Sequence, residues 1–468
     1  MERLPTGEPV WDLVFDDKGR LTAPARAAFL GEVAAEGVAD LFVFSHGWGT
    51  SEAAARGLYG AMFPLIRDAA SGAANIGRVG FVSIYWPSLW FPDTPATPPR
   101  PAGSTQAGDG AVEDESAGTA VLSGAEIAES LRPGFQDPAQ QETMMQIGRL
   151  IDEGAAAVGS GEPDAVKEQR LQQLHALLQS LVPPAPDGEF EDSGETALLF
   201  TDDPKRDYQA AAEAFGSAPP GASTQGIGDW FANAINGAKD AVRVLSYTVM
   251  KARAGDIGRA GLGPLLVELH RRSPAVRVHL IGHSFGARLV SFALSGIGAP
   301  ADSPVASLLL VQGAFSHWSF AHAQDNPFGE AGALHTFANR VHGPLVATFS
   351  VHDWAVGRWY PKASFLARQD TEAATAGRWG GMGADGYQAV APAADRSMPE
   401  GGGLDYQLTP GTFYRVDAAS VINNVKDQAF AGAHSDIRKP ALALIVVGRL
   451  IRRAWTDYRW EGRPRRRP

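Results

Sequence analysis

The chain has 468 residues, 44% of them hydrophobic, enough to bury a large core on one α/β scaffold with insertions or on two to three domains. Its formal net charge of −11 speaks against a general nucleic-acid binder. It contains no cysteine, which removes disulfides, thiolate zinc sites and a cysteine nucleophile together.

The first residues, Met1 to Glu8, lack the apolar centre of a signal peptide. Pro9 to Phe15 reads as a strand and Pro24 to Glu36 as a helix. Leu41-Phe42-Val43-Phe44 is a continuous apolar strand that ends in Ser45-His46-Gly47-Trp48-Gly49. A helix follows over Glu52 to Ala70, then a strand over Val79 to Tyr85, closed by Trp86-Pro87-Ser88-Leu89-Trp90-Phe91. Composition then shifts to Pro, Gly, Ser and acidic residues from Thr94 to Gly118, the signature of a linker. Helical patterns recur over Gln140–Ile151, Val166–Leu181, Ile227–Met250 and Gly263–Arg272. Strands resume at Val276–Ile281, Ala306–Val311, Leu345–Val351 and Thr412–Val416, and a last helix spans Ala441–Arg453. The end, Arg463-Pro464-Arg465-Arg466-Arg467-Pro468, reads as a solvated basic tail.

Alternation of strand and helix argues for an α/β fold, a mostly parallel doubly wound sheet with helices on both faces. Residues 1–92 and 224–468 form its core in this reading, and 93–223 a largely helical insertion that would serve as a lid or cap. No run approaches the roughly 20 apolar residues of a transmembrane segment, so a cytoplasmic location is expected.

The informative stretch is Val276 to Val290. A buried strand passes through Gly282-His283-Ser284-Phe285-Gly286 and leaves as a helix. A serine on so sharp a turn needs small residues two positions away on each side, because Cβ atoms there would collide. Gly282 and Gly286 meet that need, giving the nucleophile-elbow pattern in its strand–turn–helix setting.

A serine nucleophile requires a base, usually a histidine oriented by a carboxylate. In doubly wound sheets, active groups gather at the carboxyl ends of strands. Among the histidines so placed, His434 lies in a loop of small residues after the last strand, which leaves its ring room to reach across the sheet. Asp353 follows the strand Leu345–Val351 almost at once and is the first choice of orienting acid; Asp417, which also ends a strand, is the competitor. The oxyanion of a tetrahedral intermediate needs two N–H donors. Phe285 would supply one, and the Gly47-Trp48 loop the other. His283, Trp86 and Trp90 are candidates for contact with substrate, the two tryptophans alternatively belonging to the core. His317 and His322, five apart, do not match a helical zinc pair. Gly381-Met382-Gly383-Ala384-Asp385-Gly386 matches a dinucleotide fingerprint in letters but lacks the strand that should precede it.

On Gly282-His283-Ser284-Phe285-Gly286, His46-Gly47-Trp48-Gly49, Asp353 and His434, the chain resembles α/β-hydrolases of the lipase and carboxylesterase kind. The resemblance covers about residues 9–92 and 225–455 and leaves the middle insertion unmatched. It implies a central sheet, an acyl-enzyme mechanism, no cofactor and no metal, and a small-molecule or lipid ester as partner. It leaves two alternatives: a lipase or phospholipase whose insertion is a lid, and a non-catalytic interaction protein on the same fold. Serine at 284 argues against the branches that use an aspartate nucleophile.

Overall fold

The structure, a computed structural model, describes residues 1–73, 75–88, 122–183, 199–215, 230–356, 380–399, 406–425 and 432–447. Among the described residues nine strands form one sheet: β1 (Glu2–Arg3), β2 (Pro9–Val14), β3 (Asp40–Ser45), β4 (Val79–Tyr85), β5 (Arg277–His283), β6 (Val305–Val311), β7 (Leu345–Phe349), β8 (Ala393–Ser397) and β9 (Phe413–Asp417). Their order is β1-β2-β4-β3-β5-β6-β7-β9-β8. Only the two-residue β1 pairs antiparallel; every other neighbouring pair is parallel. The α/β class and mostly parallel sheet expected from the sequence are therefore present. β1 and β8 escaped the sequence pattern because both are short, largely exposed edges with no apolar run.

Helices cover both faces. They are α1 (Ala23–Glu36), α2 (Glu52–Ser71), α3 (Gly124–Leu131), α4 (Pro138–Ala157), α5 (Asp164–Ser180), α6 (Pro204–Phe215), α7 (Trp230–Asp256), α8 (Gly263–Arg272), α9 (Phe285–Ala293) and α10 (Pro440–Val447). Alternate side chains of a strand point to opposite faces, and the central strands are apolar on both. Leu41 and Val43 of β3 face a core shared with α1, α7, α8 and α9, whereas Phe42 and Phe44 face α2 and α10. β4 divides the same way, with Val82 and Ile84 against Phe81 and Tyr85.

The described helices of the insertion join the first of these cores. Ile127, Met144, Ile147, Leu171, Leu174 and Tyr208 pack in one continuous cluster with α7 and the sheet. Arg253 of α7 fastens them further: its buried guanidinium donates to Pro87 O (2.9 Å) and Gly134 O (2.5 Å). Burial lowers its pKa to about 10, which leaves it charged at neutral pH. Among the described residues no helix is long and apolar enough to cross a membrane.

The amino ends of the central strands are tied by a buried polar network. Asp40 accepts hydrogen bonds from Arg277 (2.6 Å), His279 (3.0 Å) and the Gly77 amide (2.6 Å), and the other nitrogen of His279 meets Ser307 Oγ at 2.8 Å. Burial pushes the Asp40 carboxyl up, but the bonds from His279 and Arg277 outweigh it and hold the group below its ordinary 3.8. A carboxyl depressed in the fold contributes stability above its ordinary value and loses that contribution as pH falls through the depressed one. Asp40→Asn is therefore expected to cost about 3 kcal/mol at neutral pH. In urea titrations its deficit against the wild type should shrink below pH 4, and a deficit that is constant with pH would contradict the assignment.

Candidate active site

The loops after β3, β5, β6, β7 and β9 meet at the carboxyl end of the sheet. Ser284 stands between β5 and α9 with φ +55° and ψ −124°, a conformation that costs a non-glycine residue about 1–3 kcal/mol. The turn survives because its surroundings leave no alternative. A Cβ on Gly286 would collide with the carbonyl oxygens of Ser45 and His46, and one on Gly282 would lie 2.5 Å from Ala287 N. The Ser284 amide donates to Val311 O (3.1 Å), and its carbonyl accepts from Ala314 N (3.2 Å). The loop after β6 thus clasps the serine from the other side.

The β3 loop lies against this turn. A Cβ on Gly47 would come 2.7 Å from Ser284 Cβ and 3.3 Å from His283 Nδ1. Tyr59 of α2 binds the His46 amide (3.0 Å) and donates to Ile84 O (2.5 Å), while Trp86 Nε1 donates to His46 O (3.1 Å). The Trp86 ring stacks on His46 at 5.6 Å and is buried in the core. Trp86 is thus placed as a brace for the loop. Trp90, its companion among the candidate substrate contacts, lies outside the described residues.

His46 is buried, and desolvation lowers its pKa to about 4 despite the bond to Gly47. At neutral pH the ring is uncharged, and its Nδ1 stands 2.9 Å from Gly47 O, which can only accept. Nδ1 therefore carries the proton. Because the peptide is planar and trans, fixing the Gly47 carbonyl toward His46 turns the Trp48 N–H the opposite way. The Trp48 ring packs against Phe285 and Tyr247, each at 5.9 Å between centroids.

Asp353 and His434 are brought together. His434 Nδ1 is 2.8 Å from Asp353 Oδ2, and Asp353 Oδ1 accepts from Val356 N at 3.0 Å. The two loops are stitched by a bridge between Asp353 and Gly432 and by the Ala433 amide, which donates to His352 O (2.8 Å). Gly432 has φ +63°, and a Cβ there would strike the His352 carbonyl. Asp417, the competing acid, instead accepts from the Ala419 amide (2.9 Å) as a turn cap. Ser284, Asp353 and His434 are all buried, at 6%, 1% and 8% exposed.

His283 sits behind the base. Its ring is 4.8 Å from that of His434, and its Nε2 bonds His434 O at 3.0 Å. Burial, with His434 nearby, lowers its pKa to about 3, so it is a neutral donor that anchors the backbone of His434.

Sequence reasoning missed Gln312. It follows β6 directly, is fully buried, and has φ +49°. Its Nε2 donates to Asp353 Oδ2 at 2.9 Å, the same oxygen that binds His434. A polar residue between an apolar strand and Gly313, at a carboxyl end, was the available signal. The glycine-rich run Gly381 to Gly386 is also assigned: Met382–Asp385 is a short helical turn, whose Gly383 carbonyl accepts from Ser350 N (3.1 Å) behind the acid loop. His317 is buried and pairs with Asp385 (2.7 Å). Among the described residues, no cluster of three or more His, Asp or Glu is placed to hold a metal ion.

Comparison with protein-family models, with curated proteins and with solved structures finds no match to this chain.

His283 should leave a mark on acid stability. Its ordinary pKa of 6.5 falls to about 3 in the fold, so protons below pH 6.5 favour the unfolded chain progressively down to that value. Gln at position 283 keeps a donor toward His434 O but does not titrate. The stability of His283→Gln, followed by denaturant titration from pH 7 to pH 4, is expected to decline less steeply than that of the wild type.

Proposed function

We propose that this chain is a serine hydrolase of the α/β-hydrolase kind, cleaving a carboxylic ester through an acyl-enzyme. The observation that carries the reading is a strained, helix-opening serine at the end of β5, tied through its neighbour His283 to a buried Asp353–His434 pair in the loops beyond β7 and β9. The chain order serine, acid, histidine is that of the same superfamily, as is an oxyanion donor drawn from the loop after an early strand.

In this mechanism Asp353 accepts the Nδ1–H of His434, which leaves Nε2 as the basic nitrogen. Ser284 Oγ attacks the ester carbonyl carbon while its proton passes to His434 Nε2. The carbonyl oxygen becomes an oxyanion, stabilised by the Phe285 and Trp48 amides. Phe285 occupies the first position of α9, where an amide has no partner within the helix and the helix end carries partial positive charge. Collapse of the intermediate breaks the carbon–oxygen bond, and the departing alkoxide takes the proton from His434. Water then attacks the acyl-enzyme with His434 again as base, and the acid and free Ser284 are released. Each oxyanion donor contributes roughly 3 kcal/mol to the transition state.

Nothing in the described part of the insertion favours a lid, because α3 to α6 are built into the same core as the sheet. The rings packed about the Ser284 turn and the β3 loop are aromatic or neutral: Trp48, Tyr247, Phe285, His46 and His283. Such surroundings suit an uncharged acyl group.

A fluorophosphonate probe should label the wild type at Ser284, and Ser284→Ala should abolish both labelling and turnover of short nitrophenyl esters. His434→Ala should lower kcat by a factor on the order of 10³ or more. Labelling that persists in Ser284→Ala, or a wild type inert to both probe and ester panel, would defeat the proposal.

A further inference from the structure

We infer that Gln312 is a positioning residue for the acid, fixing which oxygen of Asp353 faces His434 and how much of its negative charge that imidazole receives. The inference rests on the hydrolase reading above.

Four contacts determine the side chain. Gln312 Nε2 lies 2.9 Å from Asp353 Oδ2 and 3.4 Å from Gly383 O, both of which only accept. Oε1 lies 3.1 Å from the Thr348 hydroxyl. That hydroxyl oxygen already receives the Gln312 backbone N–H (3.4 Å), so its own hydrogen is available to Oε1. Turning the amide over would set its oxygen against two acceptors and its NH₂ against a hydroxyl donor. Only one orientation is satisfied, and it aims a donor at the acid.

The arrangement is deliberate in its cost. Gln312 holds φ +49° in a fully buried position, a strain that a side chain with no task would be relieved of by glycine. Gly383 packs against the Gln312 backbone, where a Cβ would approach its carbonyl carbon to 2.7 Å. Asp385, on the same turn, is taken up by His317, and the Asp353 oxygens are shared among His434, Gln312 and the Val356 amide. Oδ2 therefore divides its charge between one imidazole and one amide. Without the amide, the carboxylate is freer to rotate and its charge falls more fully on His434, which favours the imidazolium.

The test compares Gln312→Met, which keeps volume and removes the donor, with Gln312→Glu, which keeps shape and donates only while protonated. For Gln312→Met, kcat on a nitrophenyl ester should fall roughly 10- to 100-fold, as when a hydrogen bond behind a functional ligand is removed. KM should stay within about twofold, since substrate does not touch Gln312. The acid limb of kcat/KM should move to higher pH by about half a unit or more, because the imidazolium is stabilised. Gln312→Glu should lose activity relative to wild type as pH rises and its carboxyl ionises beside Asp353. Should Gln312→Met fail to fold, as judged by circular dichroism, the pH trend of Gln312→Glu decides. Wild-type kcat and an unmoved acid limb in Gln312→Met, or a loss in Gln312→Glu that is constant with pH, would overturn the inference. A wild type that neither hydrolyses esters nor reacts with the fluorophosphonate overturns the hydrolase reading instead.

Discussion

Everything at the carboxyl end of this sheet is organised by one crowded crossing. The turn at Ser284 can be sharp only because Gly286 lies directly on the carbonyls of Ser45 and His46, where any side chain would collide. That contact couples two elements far apart in sequence, the β3 loop and the start of α9. Once they are pressed together, Gly47 must lie against the Ser284 side chain, and the loop after β3 has nowhere else to go. The remaining supports act on the same junction from outside: Tyr59 and Trp86 hold the His46 peptide, and the β6 loop holds both backbone groups of Ser284. Strain of about 1–3 kcal/mol at one residue is tolerable when so many packed neighbours over-determine it.

Asp353 and His434 are fixed by a different device, backbone pairing between loops. Asp353 and Gly432 form a bridge, and the Ala433 amide reaches back to His352. The imidazole is therefore positioned by its main chain as much as by its side-chain bond to the acid. His283 adds a donor to the His434 carbonyl from the turn that carries Ser284, so Ser284 and His434 share one frame. Burial keeps this donor neutral. A charged ring there would disfavour protonation of His434, the state that the proposed mechanism passes through.

Much of this was legible in the sequence, for identifiable reasons. Central strands buried on both faces read as continuous apolar runs, so β3, β4, β5, β6, β7 and β9 were apparent within a few residues. The elbow was apparent because its steric demand falls on two glycines at fixed spacing. What escaped notice has no periodic signal. β8 is an exposed edge with alternating charge, and α3 carries too few residues for a stripe, although Ser123 and Glu126 form the capping box that announces it. Gln312 was missed because its role depends on Thr348, Gly383 and Asp353, which only the fold assembles. The reading of Trp86 as a pocket wall could not be separated from the core alternative, since both require an aromatic residue after a strand.

The chain also holds a serine, histidine and aspartate in hydrogen-bonded sequence at the other end of the strands, Ser307, His279 and Asp40, and they contrast with the set proposed at the carboxyl end. The aspartate–histidine distance does not separate them, 3.0 Å here against 2.8 Å between Asp353 and His434. Geometry and supply of donors do. Ser307 lies within β6, on extended backbone, so its hydroxyl borders no helix N-terminus and no loop amide that would receive an oxyanion. Asp40 is divided among the Arg277 guanidinium, the Gly77 amide and His279, so its charge is paired with a cation as well as shared with the ring. At the carboxyl end the serine stands on a strained turn at the start of α9, and the donors that accompany His434 on Asp353 are two amides, Gln312 Nε2 and Val356 N. Three residue types in contact make a scaffold at one end of the strands. The same three types, placed where a parallel sheet leaves its loops and the start of α9, are the set on which the proposed nucleophilic chemistry draws.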